Sequence, residues 1–196
     1  MRKLKLQMQV SVDGFVSAAG EKWMVWDYSG DWTWDDALRK YHTDMTGSID
    51  CVLLSRKMAV GGFIDHWAEM AEQKGNPQAE FAGNVTRAHK VVFTKTLEAS
   101  IWPDTELAKG DLAAEVNRLK SLPGKDMIVY GGASFVTALI GANLIDEYHL
   151  VVNPALVGRG APIFGGVEHP RPLSLVGATA YGHGMVVLIY RIFGAC

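Results

Sequence analysis

The feature that most limits the architecture of this chain is a unit that recurs along its first two thirds. A short apolar run is followed by a hydroxyl residue or a glycine pair, and then by a helical pattern. Cys51-Val52-Leu53-Leu54 runs into Ser55, Val91-Val92-Phe93 into Thr94, and Met127-Ile128-Val129-Tyr130 into Gly131-Gly132. Apolar runs this short, bounded by turn residues, read as buried strands. Strands that alternate with helices predict crossover connections and a parallel sheet. The last third breaks the pattern: Glu147–Asn153, Leu173–Ala180 and residues 185–193 read as strands with no helices between them, which predicts antiparallel strands at that end.

The remaining elements are set by periodicity and punctuation. Leu4, Leu6, Met8, Val10 and Val12 alternate with polar residues and predict a first strand, which Asp13-Gly14 ends or bends. Residues 23–34, rich in tryptophan and acid, read as a loop. Asp35 is placed to cap a helix reaching Met45, with Leu38, Tyr41 and Met45 on one face. Gly61-Gly62 breaks the chain, residues 66–74 look helical, and Pro77 can open a helix over 77–88. Asp111 caps a helix striped by Leu112, Val116 and Leu119, and residues 134–143 form another. The expectation is one α/β domain over residues 1–196, with a mixed, mostly parallel sheet, flanking helices and antiparallel C-terminal strands. In such sheets ligands bind beyond the carboxyl ends of the parallel strands.

Bulk properties remove several function classes. Of the 196 residues, 48% are hydrophobic and 20% charged, and the formal net charge of −2 gives no basic balance toward nucleic acid. The N-terminal stretch alternates polar and apolar residues and does not read as a signal peptide. Residues 127–145 carry no charge and have the length of a membrane span, but the Gly131-Gly132 turn divides them. Cys51, in an apolar run, reads as buried, and with Cys196 it forms no disulfide framework. A reducing, cytoplasmic setting without membrane insertion is the expectation. The six histidines are dispersed without ligand spacing, so no metal is expected, and no Gly-x-Ser-x-Gly elbow is present.

The three strand ends are where chemistry is expected. Leu54-Ser55-Arg56-Lys57 sets two adjacent cations beside a hydroxyl, and guanidinium is a forked donor suited to phosphate; solvated surface cations are the alternative. Phe93-Thr94-Lys95 repeats strand, hydroxyl and cation. Tyr130-Gly131-Gly132-Ala133-Ser134 offers glycines for close backbone approach, although it is shorter than the usual dinucleotide fingerprint. A second candidate region is the tryptophan loop. Asp27 and Asp35 stand among Trp23, Trp26, Trp32 and Trp34, and aromatics with a few carboxylates suit a flat, polar-edged ring. Packing of those tryptophans onto the core is the alternative. Asp27 heads the proton-donor candidates and Trp26 would wall the pocket; Asp13 is a further substrate-binding candidate, although Asp-Gly is also a common turn pair.

These motifs, in this order, resemble the dihydrofolate reductase superfamily, and within it the C-terminal reductase domain of the riboflavin-biosynthesis deaminase–reductase RibD. Ser11-Val12-Asp13-Gly14 followed by Val16 resembles that domain's opening strand. Leu53-Leu54-Ser55-Arg56-Lys57 is similar to the family's Gly-Arg-Lys-Thr segment, with Ser55 for the glycine and Met58 for the threonine. Val91 to Lys95, Val129 to Ser134, Leu144 to Glu147 and Asn153 to Phe164 resemble its second phosphate-binding strand end, its Gly-Gly turn, its late strand and its glycine loop.

The resemblance implies a dihydrofolate reductase-like fold, NADPH, and hydride transfer to an electron-poor C=N or C=O in a small pyrimidine- or pterin-like heterocycle. It implies that Arg56 and Lys57, with Ser55, Thr94 and Lys95, surround the 2′-phosphate end, with Lys109 on the adenosine side. Tyr130, Gly131, Gly132, Ala133, Ser134 and Phe135 would run along the diphosphate and nicotinamide ribose, and Val16 would lie near the nicotinamide. It also implies pairing into a homodimer through the late strands. Dihydrofolate reductases carry a Pro-Trp loop after the first strand; none occurs here, which speaks against folate. A dinucleotide- or drug-binding protein that kept the fold without turnover is the alternative from another class.

Overall fold

Alternation of Leu4, Leu6, Met8 and Val10 with polar residues produces the first strand of the computed structural model, which describes residues 1–20, 24–25 and 34–194. In chain order its elements are β1 (Leu4–Ser11), β2 (Phe15–Ala18), α1 (Asp36–Gly47), β3 (Ile49–Ser55), α2 (Arg56–Val60), α3 (Phe63–Glu72), α4 (Ala79–Arg87) and β4 (His89–Phe93). Next come β5 (Thr105–Ala108), α5 (Leu112–Ser121), β6 (Asp126–Val129), α6 (Ala133–Gly141), β7 (Glu147–Asn153), β8 (Gly160–Pro162), β9 (Leu173–Ala180) and β10 (Val186–Ile192). The protein is α/β, with helices in the connections between its parallel strands except from β4 to β5, and antiparallel strands toward its C-terminus. The chain divides into two compact units, Met1–Lys3 with Arg39–Gly132, and Leu4–Leu38 with Ala133–Cys196.

In the first unit the strand order is β5-β4-β3-β6, and every pairing is parallel. Leu53 stands opposite Val91 and Val129, and all three are fully buried. Val52, Leu54, Val92 and Ile128 point to the other face and join Met45, Ala59, Ile64 and Trp102 in one cluster. Both faces are therefore covered, which is why β3, β4 and β6 read as continuous apolar runs rather than alternating ones. Asp111 caps α5 through its carboxylate, which accepts the Ala114 amide.

In the second unit the order is β1-β7-β10-β9. β7 runs parallel to β1, with Leu6 opposite Tyr148 and Val10 opposite Val152. β10 and β9 are antiparallel to their neighbours. β2 and β8 form a separate two-stranded ribbon. Val136, Leu139 and Ile140 are the buried face of α6, whose last carbonyls, on Ile140 and Gly141, accept from the Arg171 guanidinium.

Some expected boundaries shift. The helix expected over 66–74 begins at Phe63, immediately after Gly62 in the left-handed region (φ +93°), and ends at Glu72. Three short strands, β2, β5 and β8, carry no strand signature that marks them in advance. Among the described residues no helix is long and apolar enough to cross a membrane.

Candidate functional site

Parallel pairing brings the carboxyl ends of β3 and β4 side by side, with Ser55 in register with Phe93. The residues directly after the two strands therefore emerge at one level. After β3 come Arg56 and Lys57; after β4 come Thr94 and Lys95. Arg56 and Lys57 are exposed and make no ion pair or side-chain hydrogen bond among the described residues. The two hydroxyls are oriented by the backbone. Ser55 Oγ accepts the Met58 amide at 3.2 Å, and Thr94 Oγ1 accepts the amides of Thr96 and Leu97 at 3.1 and 3.0 Å. Each keeps its own O–H for a further acceptor.

The other two lysines of this end are engaged differently. Lys95 Nζ donates to the carbonyls of Lys109 and Gly110 at 2.5 and 2.6 Å, and Lys109 Nζ donates to the Glu98 carbonyl at 3.2 Å. They bring positive charge to the loops after β4 and β5, but their geometry is set by backbone oxygens. Thr94 itself donates its amide to the Ala108 carbonyl at 3.0 Å, which extends the β4–β5 ladder by one residue and fixes the loop's start.

The third strand end, after β6, holds Tyr130, Gly131 and Gly132. Gly132 has φ +78°, a conformation that a side chain would strain, so the glycine is required by the turn. Tyr130 packs against Phe63 and Phe81, with ring centroids 5.9 and 6.2 Å away. Its Oη is buried and makes no hydrogen bond among the described residues, and burial pushes the phenol's pKa upward. Ala133, Ser134 and Phe135 open α6; Ser134 is exposed.

A dinucleotide phosphate needs cations with no internal carboxylate partner, hydroxyl donors already oriented, and glycine where the backbone must come close. Arg56 with Lys57, Ser55 with Thr94, and Gly131 with Gly132 supply these three, so the residues present fit NADPH. Among the described residues no group of three His, Cys, Asp or Glu side chains could hold a metal ion.

The expected substrate residues fare differently. Asp27 and Trp26 lie outside the described residues, as do Trp23 and Trp32. Asp35 is described, and both of its carboxylate oxygens are engaged: Oδ1 accepts the Leu38 amide and Oδ2 the Gly182 amide, both at 2.7 Å. Those two amide bonds hold its pKa below the ordinary range. It is a helix cap and a seat for the β9–β10 turn, and at neutral pH it carries no proton to give. Asp13 accepts from Ser11 Oγ and from the amides of Val157 and Gly158, which lowers its pKa to about 2. Val16 is buried, 1% exposed as a whole residue, so it offers a ligand little surface in this structure. Ser11, which orders Asp13, escaped the sequence reading; the signal was a hydroxyl two residues ahead of an Asp-Gly turn.

Comparison with known proteins adds a family. A model described as the RibD C-terminal domain matches residues 2–187. The uncharacterized protein YyaP of Bacillus subtilis (strain 168) is 31% identical over 192 residues, which is 97% of this chain and 95% of that protein. A Shewanella sp. PV-4 protein named for riboflavin biosynthesis superposes with TM-score 0.70 at 16% identity, over 98% of this chain and 99% of that one. The diaminohydroxyphosphoribosylaminopyrimidine deaminase/5-amino-6-(5-phosphoribosylamino)uracil reductase of Thermotoga maritima gives TM-score 0.66 at 19% identity, over 97% of this chain and 56% of that one. At these identities the solved structures speak to the fold alone.

Proposed function

Because the chain belongs to the RibD C-terminal domain family, a reductase-like family of the riboflavin-pathway type, we propose that it is an NADPH-dependent reductase of a small pyrimidine- or pterin-like heterocycle. The observation that carries this reading is the pair of strand ends after β3 and β4, where Arg56 and Lys57 stand without a carboxylate partner beside two oriented hydroxyls. NADPH, when bound, supplies the hydride.

The chain's own residues do the rest by holding it. Arg56 and Lys57 neutralise the 2′-phosphate, Ser55 and Thr94 donate their O–H groups to it, and Lys95 and Lys109 add positive charge at short range. Tyr130, Gly131, Gly132, Ala133, Ser134 and Phe135 run along the diphosphate and nicotinamide ribose, where glycine backbone admits close approach. Asp27 beside Trp26 is proposed as proton donor to the reduced heterocycle, since hydride delivery to C=N needs a proton as well. Asp35, held ionised by two amides, does not compete for that role.

A homodimer belongs to the same proposal. β9 lies at the end of its strand order, contains no charged residue or proline, and exposes Leu175 by 59% and Val176 by 47%. Uncharged apolar edge strands invite a partner strand, and a second copy about a two-fold axis satisfies both. Light scattering at micromolar concentration is expected to give twice the 21.4 kDa chain mass; a monomer mass refutes the dimer.

Turnover is tested by following NADPH absorbance with a panel of pyrimidine- and pterin-type heterocycles. Oxidation with one of them, reduced at least tenfold in Asp27→Asn, is the expected result. Tight NADPH binding with no oxidation across the panel supports a non-catalytic binding protein instead.

A further inference from the structure

The loop between β7 and β8 turns two successive amides, those of Val157 and Gly158, toward one point, with Gly158 at φ +75°. Concave backbone of this kind is what anion-binding loops present. Here the anion is internal. Asp13 Oδ2 accepts the Gly158 amide at 2.7 Å, and the Val157 amide lies 3.1 and 3.2 Å from Oδ1 and Oδ2. Oδ1 also accepts the Ser11 hydroxyl at 2.6 Å. Ser11 Oγ in turn accepts the Phe15 amide at 3.0 Å. One line of hydrogen bonds therefore runs from the first residue of β2, through Ser11 and Asp13, to the loop that leads into β8.

Its two ends meet again. β2 pairs with β8, Ala18 standing opposite Gly160. The approach there is so close that a Cβ on Gly160 would sit 1.7 Å from the Ser17 carbonyl oxygen. The Val12 amide to the Ala155 carbonyl, at 3.0 Å, closes the same joint from the other side. Ser11 is only 1% exposed, so that link is shielded from water, whereas the Asp13 carboxylate it feeds is exposed and is held by its three donors. With its oxygens committed to three internal donors, Asp13 offers a ligand little that is not already taken.

We infer that Asp13 is a positioning residue, a carboxylate clamp that fills the glycine loop's own anion seat and fixes the β2–β8 ribbon before any ligand arrives, rather than a contact to substrate. What the ribbon is positioned for rests on the function proposed above, together with the family resemblance that would set Val16 of β2 near the nicotinamide. Without the carboxylate, the Val157 and Gly158 amides and the Ser11 hydroxyl lose their acceptor together. Asparagine does not restore the clamp: it keeps one acceptor oxygen but turns an N–H₂ donor toward donors.

The experiment uses the full chain with NADPH and NADH as probes, in wild type, Asp13→Ala, Asp13→Asn and Ser11→Ala. Amide hydrogen exchange is measured first, without ligand. In Asp13→Ala and Asp13→Asn the amides of Phe15, Val157 and Gly158 are expected to exchange at least about tenfold faster. Exchange as slow as wild type at all three overturns the clamp, whatever binds. Calorimetry then reads cofactor affinity. Both Asp13 variants are expected to weaken NADPH and NADH by the same factor, about tenfold, and to change the emission of the bound reduced nicotinamide. The NADPH-over-NADH ratio stays as in wild type, and Ser11→Ala moves the same way by less. A lower Tm with unchanged affinities and emission reduces Asp13 to a purely structural residue and overturns the positioning role. A rise in KM for the heterocycle alone makes it a substrate contact and does the same. If wild type binds neither cofactor while the three amides still accelerate, the clamp stands and the cofactor reading falls.

Discussion

Replacing Arg56 by alanine separates an NADPH site from a general anion surface. NADPH differs from NADH by one 2′-phosphate, close to doubly charged near neutral pH. Arg56 has no ion pair or side-chain hydrogen bond among the described residues, so nothing internal must be broken for it to reach a phosphate, and nothing internal is orphaned when it is removed. A charge-assisted contact of this type is worth roughly 1.5–3 kcal/mol. Arg56 is exposed, and screening places it in the lower half of that range. At about 1.4 kcal/mol per factor of ten, the NADPH dissociation constant should rise about 10- to 30-fold. NADH affinity should stay within about twofold, because the contact was never made. Lys95 is the internal control. Two of its three N–H donors are held by the Lys109 and Gly110 carbonyls, so Lys95→Ala should cost less selectivity than Arg56→Ala and more thermal stability. Calorimetric titration of both cofactors at two salt concentrations reads all of this. Equal losses for NADPH and NADH in Arg56→Ala would refute the reasoning and assign Arg56 to the diphosphate or to the fold.

Packing and electrostatics set three further outcomes. Glu147, nearly buried, accepts from His149 and Arg191, and the His149 hydrogen bond leads in lowering its pKa from an ordinary 4.5 to about 2. A depressed folded pKa stabilises the protein above the unfolded value, so stability should fall as pH drops from about 5 toward 2, by a few kcal/mol in urea titrations, and Glu147→Gln should flatten that loss. Cys51 is 2% exposed and burial pushes its thiol up to about 12, so in a Cys196→Ser background native protein should not react with a thiol-disulfide reagent until unfolded; rapid labelling contradicts the buried assignment. Leu53 is fully enclosed between Val91 and Val129, and Leu53→Ala should cost about 2–5 kcal/mol by denaturant unfolding, with less than 1 kcal/mol counting against the packing described.

How far the sequence speaks for this fold depends on where each strand sits. β3, β4 and β6 announce themselves because both sheet faces are buried, which demands unbroken apolar runs. β5, Thr-Glu-Leu-Ala, is half polar and lies at the end of its strand order, so its pairing with β4 defines it and its composition does not. β2 and β8 are four and three residues long and exist through each other, held where Gly160 lets backbone meet backbone. The start of α3 at Phe63 was hidden because its N-cap is Gly62, which has no side chain to signal with. The candidate site divides the same way. Ser55-Arg56-Lys57 and Thr94-Lys95 are legible because a hydroxyl and a cation stand directly at a strand's end. That Lys95 and Lys109 bind backbone carbonyls, and that Asp13 and Asp35 are committed to amides as far as 145 and 147 residues away, is tertiary information without a local pattern.

The most direct test of the central claim is one paired titration: NADPH and NADH into the wild-type protein at low salt, monitored by calorimetry. Saturable binding of one NADPH per chain, at least tenfold tighter than NADH and with the preference eroded by added salt, is the predicted result. No heat with NADPH, or equal affinity for both cofactors at every salt concentration, would contradict it.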